Sequence, residues 1–363
     1  MQLSNNVLKI QRLPKHQSQH YEIKDPSILQ RKDGSYLMYA SVGNSNNQSW
    51  LVGRFSAQKI DGMWEELEPV EFSEISGPQL CAPAVSYEVQ ADESELWTMY
   101  IQTACFEENG VIAIATSTDG HHFVGQPHPV ITRESIGDGP APVIGVYDVG
   151  ISEVHASDQD LMCMVYSGYR RIGCGDIYVS YKNKHDKNAE WTKGECLLAQ
   201  ENLPFHNRPD FDHFEWGLEG AKIIQLADDC FVMIGVCFLP KPNEFLGSRQ
   251  RVFLAAARSM KGPYTPLGLP FLPQTSTTTT EVKIIVGENG HPDTLIHEET
   301  LWVMYQERAG NGQPWHLRIA SFDLPKMEKF VRNKLGEQEM VTNQQIAEQL
   351  DVDQYHFQYA SLA

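Results

Sequence analysis

The chain has little that would take it to a membrane, a nucleic acid or an oxidising compartment. Its longest apolar run, Cys230 to Leu239, has ten residues, about half of the roughly 20 that a spanning helix needs. The opening stretch MQLSNNVLKIQRLPK has no apolar core of the kind a secretory signal peptide carries. Positive charge is scarce: 29 Lys and Arg stand against 47 Asp and Glu, a net charge of −18. A phosphate-binding surface needs clustered Lys and Arg, so nucleic acid and membrane are not expected as partners, whereas a neutral or cationic ligand is admitted. The seven cysteines (Cys81, Cys105, Cys163, Cys174, Cys196, Cys230 and Cys237) are odd in number and none forms C-x-x-C. Reduced core thiols are therefore expected, not a disulfide frame or a zinc site. These absences predict a cytoplasmic globule, and the ordinary apolar fraction of 41% argues against disorder. Strands alternating with long helical patterns are also missing through residue 325, which removes βαβ architectures. The 363 residues leave two or three domains of about 150 residues, or one large β architecture.

What is present is a repeat. Five segments share one plan: DPSILQRKDGSYLMYAS from Asp25, APAVSYEVQADESELWTMYIQTA from Ala82, DVGISEVHASDQDLMCMVYSGY from Asp148, EGAKIIQLADDCFVMIGVC from Glu219 and GHPDTLIHEETLWVMYQER from Gly290. Each runs from a small or acidic residue through a short apolar strand and an acidic or Gly-containing turn into a second strand. The turns Lys32-Asp33-Gly34, Asp158-Gln159-Asp160 and Asp228-Asp229 are hairpin signals. Behind four segments follows another strand and a turn ending in an aromatic, at Trp64, Phe123, Trp191 and Tyr264; the fifth copy keeps HLRIASFDL but loses the aromatic turn.

About four strands per unit is the content of a propeller blade. The sequence thus predicts an all-β, five-bladed β-propeller over residues 1–325, with a short helical C-terminal tail over 326–363. Val7–Leu13 alternates in polarity and could complete the last blade. In the tail, KMEKFVRNKL and TNQQIAEQL have helical spacing, and Thr342 with Gln345 fits a capping box. The tail would pack across the propeller or support an oligomer contact. The run TSTTTT from Thr275 reads as an inter-blade loop.

The innermost strand of each blade lines a propeller's channel, so the residues opening the five segments should converge on one rim. They are Asp25, Ala82, Asp148, Glu219 and, one residue into its segment, His291. Three carboxylates and an imidazole at such positions are not what packing selects, because like charges held together raise each other's pKa. Glycosidic hydrolysis needs this set: an acid for the leaving oxygen, a carboxylate to activate water or attack, and a third group to tune the acid. Each residue has a structural alternative. Asp25-Pro26 suits a turn entering a strand, Asp138 lies in the loop before Asp148, and Glu215 neighbours Glu219.

KDPSIL from Lys24, YDVGIS from Tyr147 and LEGAKII from Leu218 resemble the three signature regions of glycoside hydrolase family 43 over about residues 20–325. Pro commonly follows the second and third motif positions where this chain has Val149 and Ala221. The resemblance implies a five-bladed propeller and hydrolysis with inversion, mainly of arabinose- and xylose-containing glycosides and some galactosides. It implies Asp25 as general base, Asp148 as pKa-modulating acid and Glu219 as general acid. It also implies that His291 lies near the channel centre beside calcium or another cation. One neutral imidazole does not make a calcium site, so any ion would be held through water and be structural. The chemistry itself requires no cofactor.

Sugars pack C–H faces on aromatic rings and bond polar groups through hydroxyls. Trp216 and Phe214 are the expected stacking residues, with Asp212 and His213 beside them, while Trp97 and Trp302 read as core. His291, Arg308 and Gln306 could face the sugar, although Arg308 could equally pair with a carboxylate. Three readings follow: an inverting glycosidase, a glycoside phosphorylase using Arg170-Arg171 or Arg249 and Arg251 as its phosphate pocket, and a sugar-binding propeller without turnover.

Overall fold

The computed structural model describes residues 6–16, 21–44, 49–75, 79–104, 108–137, 139–156, 158–171, 174–186, 188–202, 217–238, 250–268, 277–279, 284–286, 288–308 and 313–337. Each repeat folds as antiparallel hairpins because its apolar strands are broken where turn residues stand. At the first hairpin, Gly34 takes φ 83° and the Asp33 carboxylate accepts the Ser35 N–H at 2.9 Å. The inner strands of the five blades are Glu22–Gln30, Cys81–Val89, Gly145–Ala156, Leu218–Ala227 and Glu288–His297. Their second strands are Tyr36–Asn44, Glu95–Gln102, Gln159–Arg171, Cys230–Phe238 and Thr300–Arg308.

Blades 3 and 4 are four-stranded in chain order. Blade 2 gains a fifth strand, Glu71–Ser73, which pairs in parallel with His122–Gly125. The N-terminal segment closes the ring in two steps. Asn6–Val7 adds antiparallel to His316–Asp323 as the outer strand of blade 5, and Lys9–Gln11 then adds in parallel to Met63–Leu67 of blade 1. Five apolar clusters fill the five interfaces between blades, including the one where blade 5 meets blade 1 through Met304, Leu317 and Ile319 against Ile28 and Met38. A core distributed in this way, with no centre, leaves the axis free for polar groups. Trp97 is buried in the cluster between blades 1 and 2, and Trp302 is partly buried against that between blades 5 and 1.

The C-terminal helix, Leu324–Glu337, begins two residues before the expected boundary. Asp323 caps it, its carboxylate accepting the Lys326 N–H at 2.9 Å. Met327, Phe330 and Val331 are buried in the cluster between blades 4 and 5. Thr342, Gln345 and the rest of the tail lie outside the described residues. The threonine run is more than a loop: Thr277–Thr279 pairs antiparallel with Ile284–Val286 as a ribbon between blades 4 and 5. Both segments consist of β-branched residues, which favours strands.

Candidate active site

Every inner strand breaks register at the same place, between Lys24 and Ser27, Cys81 and Ala84, Tyr147 and Gly150, Glu219 and Lys222, and Gly290 and Asp293. The first residue of each bulge has positive φ: Asp25 51°, Ala82 49°, Asp148 50°, Gly220 53° and His291 42°. The fourth copy of this position is therefore Gly220, not Glu219 as the repeat suggests. Glu219 stands one residue earlier and reaches the axis from the position that Lys24, Cys81, Tyr147 and Gly290 hold in the other blades. At Gly220 a side chain is disfavoured by contact as well as by backbone, because its Cβ would lie 2.8 Å from His291 Nδ1.

A bulge frees its amide from the ladder, and a buried amide needs a partner. Here the partner comes from the neighbouring blade. Gln306 Oε1 accepts the Asp25 N–H at 2.9 Å, Ser41 Oγ that of Ala82 at 2.8 Å, Gln102 Oε1 that of Asp148 at 2.9 Å, and Ser167 Oγ that of Gly220 at 3.2 Å. All four acceptors of this support lie on second strands, opposite the residue before the bulge. In blade 4 that position is Val236, which has no oxygen to offer. Strained residues persist where the surroundings over-determine them, and these bonds across the blades do so.

The bulges bring Asp25, Asp148, Glu219 and His291 together, with exposures of 5%, 7% and 4% for the three acids. His291 Nε2 lies 2.9 Å from Glu219 Oε1, and its Nδ1 lies 3.5 Å from Asp25 Oδ1 and 3.8 Å from Asp148 Oδ1. Burial lowers the pKa of this imidazole, but Asp25 and Glu219 over-compensate and raise it to about 10. The ring is thus an imidazolium, not the neutral group the sequence suggested. Protonated on both nitrogens, the ring has no lone pair for direct ligation of a metal ion.

Asp25 has no hydrogen bond of normal geometry on either carboxylate oxygen. Burial raises its pKa, yet Lys24, with Nζ 3.4 Å away, His291 and the nearby Ser41 hydroxyl bring it below the ordinary value. Lys24 Nζ also sits 4.4 Å over the Trp50 ring. Asp148 is the opposite case: burial and repulsion by Glu219 raise its pKa to about 7, against the attraction of His291.

Sequence reasoning missed Tyr169, whose buried hydroxyl touches both Asp148 Oδ2, at 2.9 Å, and Glu219 Oε2. It stacks on Tyr147 with ring centroids 4.3 Å apart. Gln306 is buried and bonded within the protein. Its oxygen holds the Asp25 amide, and its Nε2 donates to Gln250 Oε1 at 3.2 Å, while Gln250 Nε2 donates to Glu219 Oε1 at 3.3 Å. Two glutamines thereby tie the Asp25 backbone to the Glu219 carboxylate.

Arg308 is turned to Glu288, 2.7 Å away, and lies 4.3 Å over Trp315, so the structure does not bring it to the carboxylates. Trp216, Phe214, Asp212, His213, Glu215, Asp138 and Arg249 lie outside the described residues. Arg170 is taken up by Asp176, at 2.8 and 2.9 Å, and by Glu201. Arg251 is buried and donates to the Gln250 carbonyl at 2.6 Å. Among the described residues, one other group of metal-type donors converges: Glu71, His121 and His122, on the outer edge of blade 2. A pocket at the axis is lined by the bulge residues and by Ser27, Lys222 and Asp293. Lys222 Nζ lies 2.5 Å from Asp293 Oδ1.

Neither a protein-family model nor a curated protein matches the sequence. Solved structures share the fold. An endo-arabinase from Bacteroides thetaiotaomicron VPI-5482 is 16% identical, with 82% of this chain and 93% of that chain covered and a TM-score of 0.53. A thermostable family-43 glycoside hydrolase is 15% identical over 83% and 89%, with a TM-score of 0.53. The GH43_1 enzyme from Xanthomonas citri is 15% identical over 88% and 90%, with a TM-score of 0.54. At these identities the likeness establishes the fold.

Proposed function

We propose that the chain is a glycoside hydrolase acting with inversion on a neutral arabinose-, xylose- or galactose-type glycoside. Asp25 serves as general base, Glu219 as general acid and Asp148 as the acid that tunes it. The observation that carries this reading is the convergence of three buried carboxylates on one imidazolium, with opposite pKa directions for Asp25 and Asp148. A carboxylate held ionised suits a base, and a neighbouring carboxyl group with a raised pKa suits the group that tunes an acid. Asp25, held ionised and without hydrogen bonds of its own, is free to take a proton from water.

The two contacts of His291 with Asp25 and Glu219, together with the width of its ring, set an upper limit of roughly 9 Å between those oxygens. That limit admits the roughly 6.5–9.5 Å that leaves room for a water in inverting enzymes. The substrate class takes support from the shared fold with an endo-arabinase and with an enzyme solved in complex with xylotriose. No cofactor enters, since the carboxyl groups supply both acid and base. A phosphorylase would need a free cationic pocket, and Arg170 is neutralised by two carboxylates.

The test is a screen of aryl glycosides and pentose oligosaccharides, with and without phosphate, using the parent protein, Asp25→Asn and Glu219→Gln. Removing a general acid or base costs about 10²- to 10⁴-fold. Glu219→Gln should be rescued in part on substrates with good leaving groups, and Asp25→Asn should not. Full sugar binding with no turnover in the parent would instead identify a binding propeller.

A further inference from the structure

Tyr169 touches two carboxyl groups with one hydroxyl, and the number of protons decides what that means. A phenol has a single proton to donate. It can donate to Asp148 or to Glu219, and toward the other it can only accept. The second contact is a hydrogen bond only when that carboxyl group carries a proton. All three side chains are buried at 7% exposure or less, so an unsatisfied pair of facing oxygens would be costly there.

We propose that Tyr169 is a proton relay, through which Asp148 and Glu219 share one proton and Glu219 is loaded as an acid from Asp148. The catalytic consequence rests on the glycosidase reading; the shared proton rests on the contacts alone. In the resting arrangement the proton is on Asp148, which donates to Tyr169 Oη, while the phenol donates to Glu219 Oε2. His291 and Gln250, both directed at Glu219 Oε1, favour that ionised Glu219. Loading is then a concerted double transfer. The Asp148 O–H bond breaks as its proton passes to Tyr169, and the Tyr169 O–H bond breaks as its own proton passes to Glu219. The phenol is regenerated and no other reactant is consumed. Tyr169 never ionises, because burial and the two carboxylates hold its pKa well above the usual phenol value.

The titratable and charged groups facing this triad are Asp25 and Lys24 on the inner strand of blade 1, Tyr147 on that of blade 3, His291 on that of blade 5, and the buried Arg251 beside Gln250. Arg170, next in sequence, points away to Asp176 and Glu201.

The test combines carboxyl titration by ¹³C NMR with kinetics. In the parent protein the Asp148 and Glu219 carboxyl signals should respond together over the same pH steps, as coupled sites do. In Tyr169→Phe they should separate. The doubly ionised pair cannot use both hydrogen bonds of the relay, so the upper limb of the pH–kcat/KM profile should fall by about one unit in Tyr169→Phe. Activity of that variant should drop roughly 10- to 100-fold on glycosides with poor leaving groups, and much less on activated aryl glycosides. Independent titration of the two carboxyl groups in the parent would overturn the relay. So would a uniform loss across leaving groups with the limb unmoved, the mark of a merely structural tyrosine. The parent titration needs no variant: independent titration there overturns the relay even where Tyr169→Phe does not fold. A shared titration that separates in Tyr169→Phe, in a protein that cleaves no glycoside, would uphold the relay and reject the glycosidase.

Discussion

Replacing His291 by Gln would remove the one cation that touches all three axial carboxylates. Gln is the informative substitution, since like His it has a Cβ at φ 42°, so backbone strain is nearly the same in both proteins. The pKa of His291 rises from 6.5 to about 10 on folding, because Asp25 and Glu219 outweigh the burial that lowers it. Each unit is about 1.4 kcal/mol, and near pH 7 most of the interval counts, giving roughly 4 kcal/mol of stability. Breaking a buried ion cluster by removing one partner costs about 3–5 kcal/mol in other proteins, so two independent routes agree. A raised pKa contributes stability that is complete below about pH 6.5 and is lost as the pH climbs through about 10. Urea denaturation followed by tryptophan fluorescence should therefore give a large deficit for His291→Gln near neutrality that shrinks toward pH 10. A deficit under about 1 kcal/mol at pH 7, or one unchanged between neutrality and pH 10, would refute the imidazolium reading.

Gln306→Ala should leave the Asp25 amide unpaired and break the link through Gln250, at a cost of about 1–3 kcal/mol measured by denaturation. Gly220→Ala should cost more than the roughly 1–2 kcal/mol of the backbone region alone, since its Cβ would also displace His291, and thermal melting reads it directly. Arg170→Met should leave any hydrolysis insensitive to added phosphate, as in the parent, because Arg170 is already held by Asp176 and Glu201. Rates that respond to phosphate in the parent and lose that response in Arg170→Met would favour the phosphorylase.

The propeller was legible because each blade repeats the same alternation and turn, and because Asp25, Asp148 and His291 fall on equivalent copies. The register of the fourth copy was not. A sequence repeat aligns Glu219 with Asp148 as the acidic residue at a strand start, whereas the bulge selects the residue that can bear positive φ, and that is Gly220. Tyr169, Gln102 and Gln250, and the part that Gln306 plays, were hidden for another reason. They act from second and third strands, where an aromatic or polar residue among apolar neighbours carries no mark of which blade it will meet. A signal did exist: Ser41, Gln102, Ser167 and Gln306 are polar residues in otherwise apolar second strands, at the same place in four blades. A single sequence also lets an exposed-looking arginine stand as a sugar ligand, and Arg308 shows how a buried Glu288 and a neighbouring ring redirect it.

The central claim, that Asp25 and Glu219 act as base and acid on a neutral glycoside across one imidazolium, is tested most directly by the anomeric configuration of the first sugar released. Proton NMR of the products in phosphate-free water, recorded before mutarotation, reads it. The arrangement of the carboxylates predicts the inverted anomer, with its formation abolished in Asp25→Asn. A retained anomer, or release that appears only when phosphate is added, would contradict it.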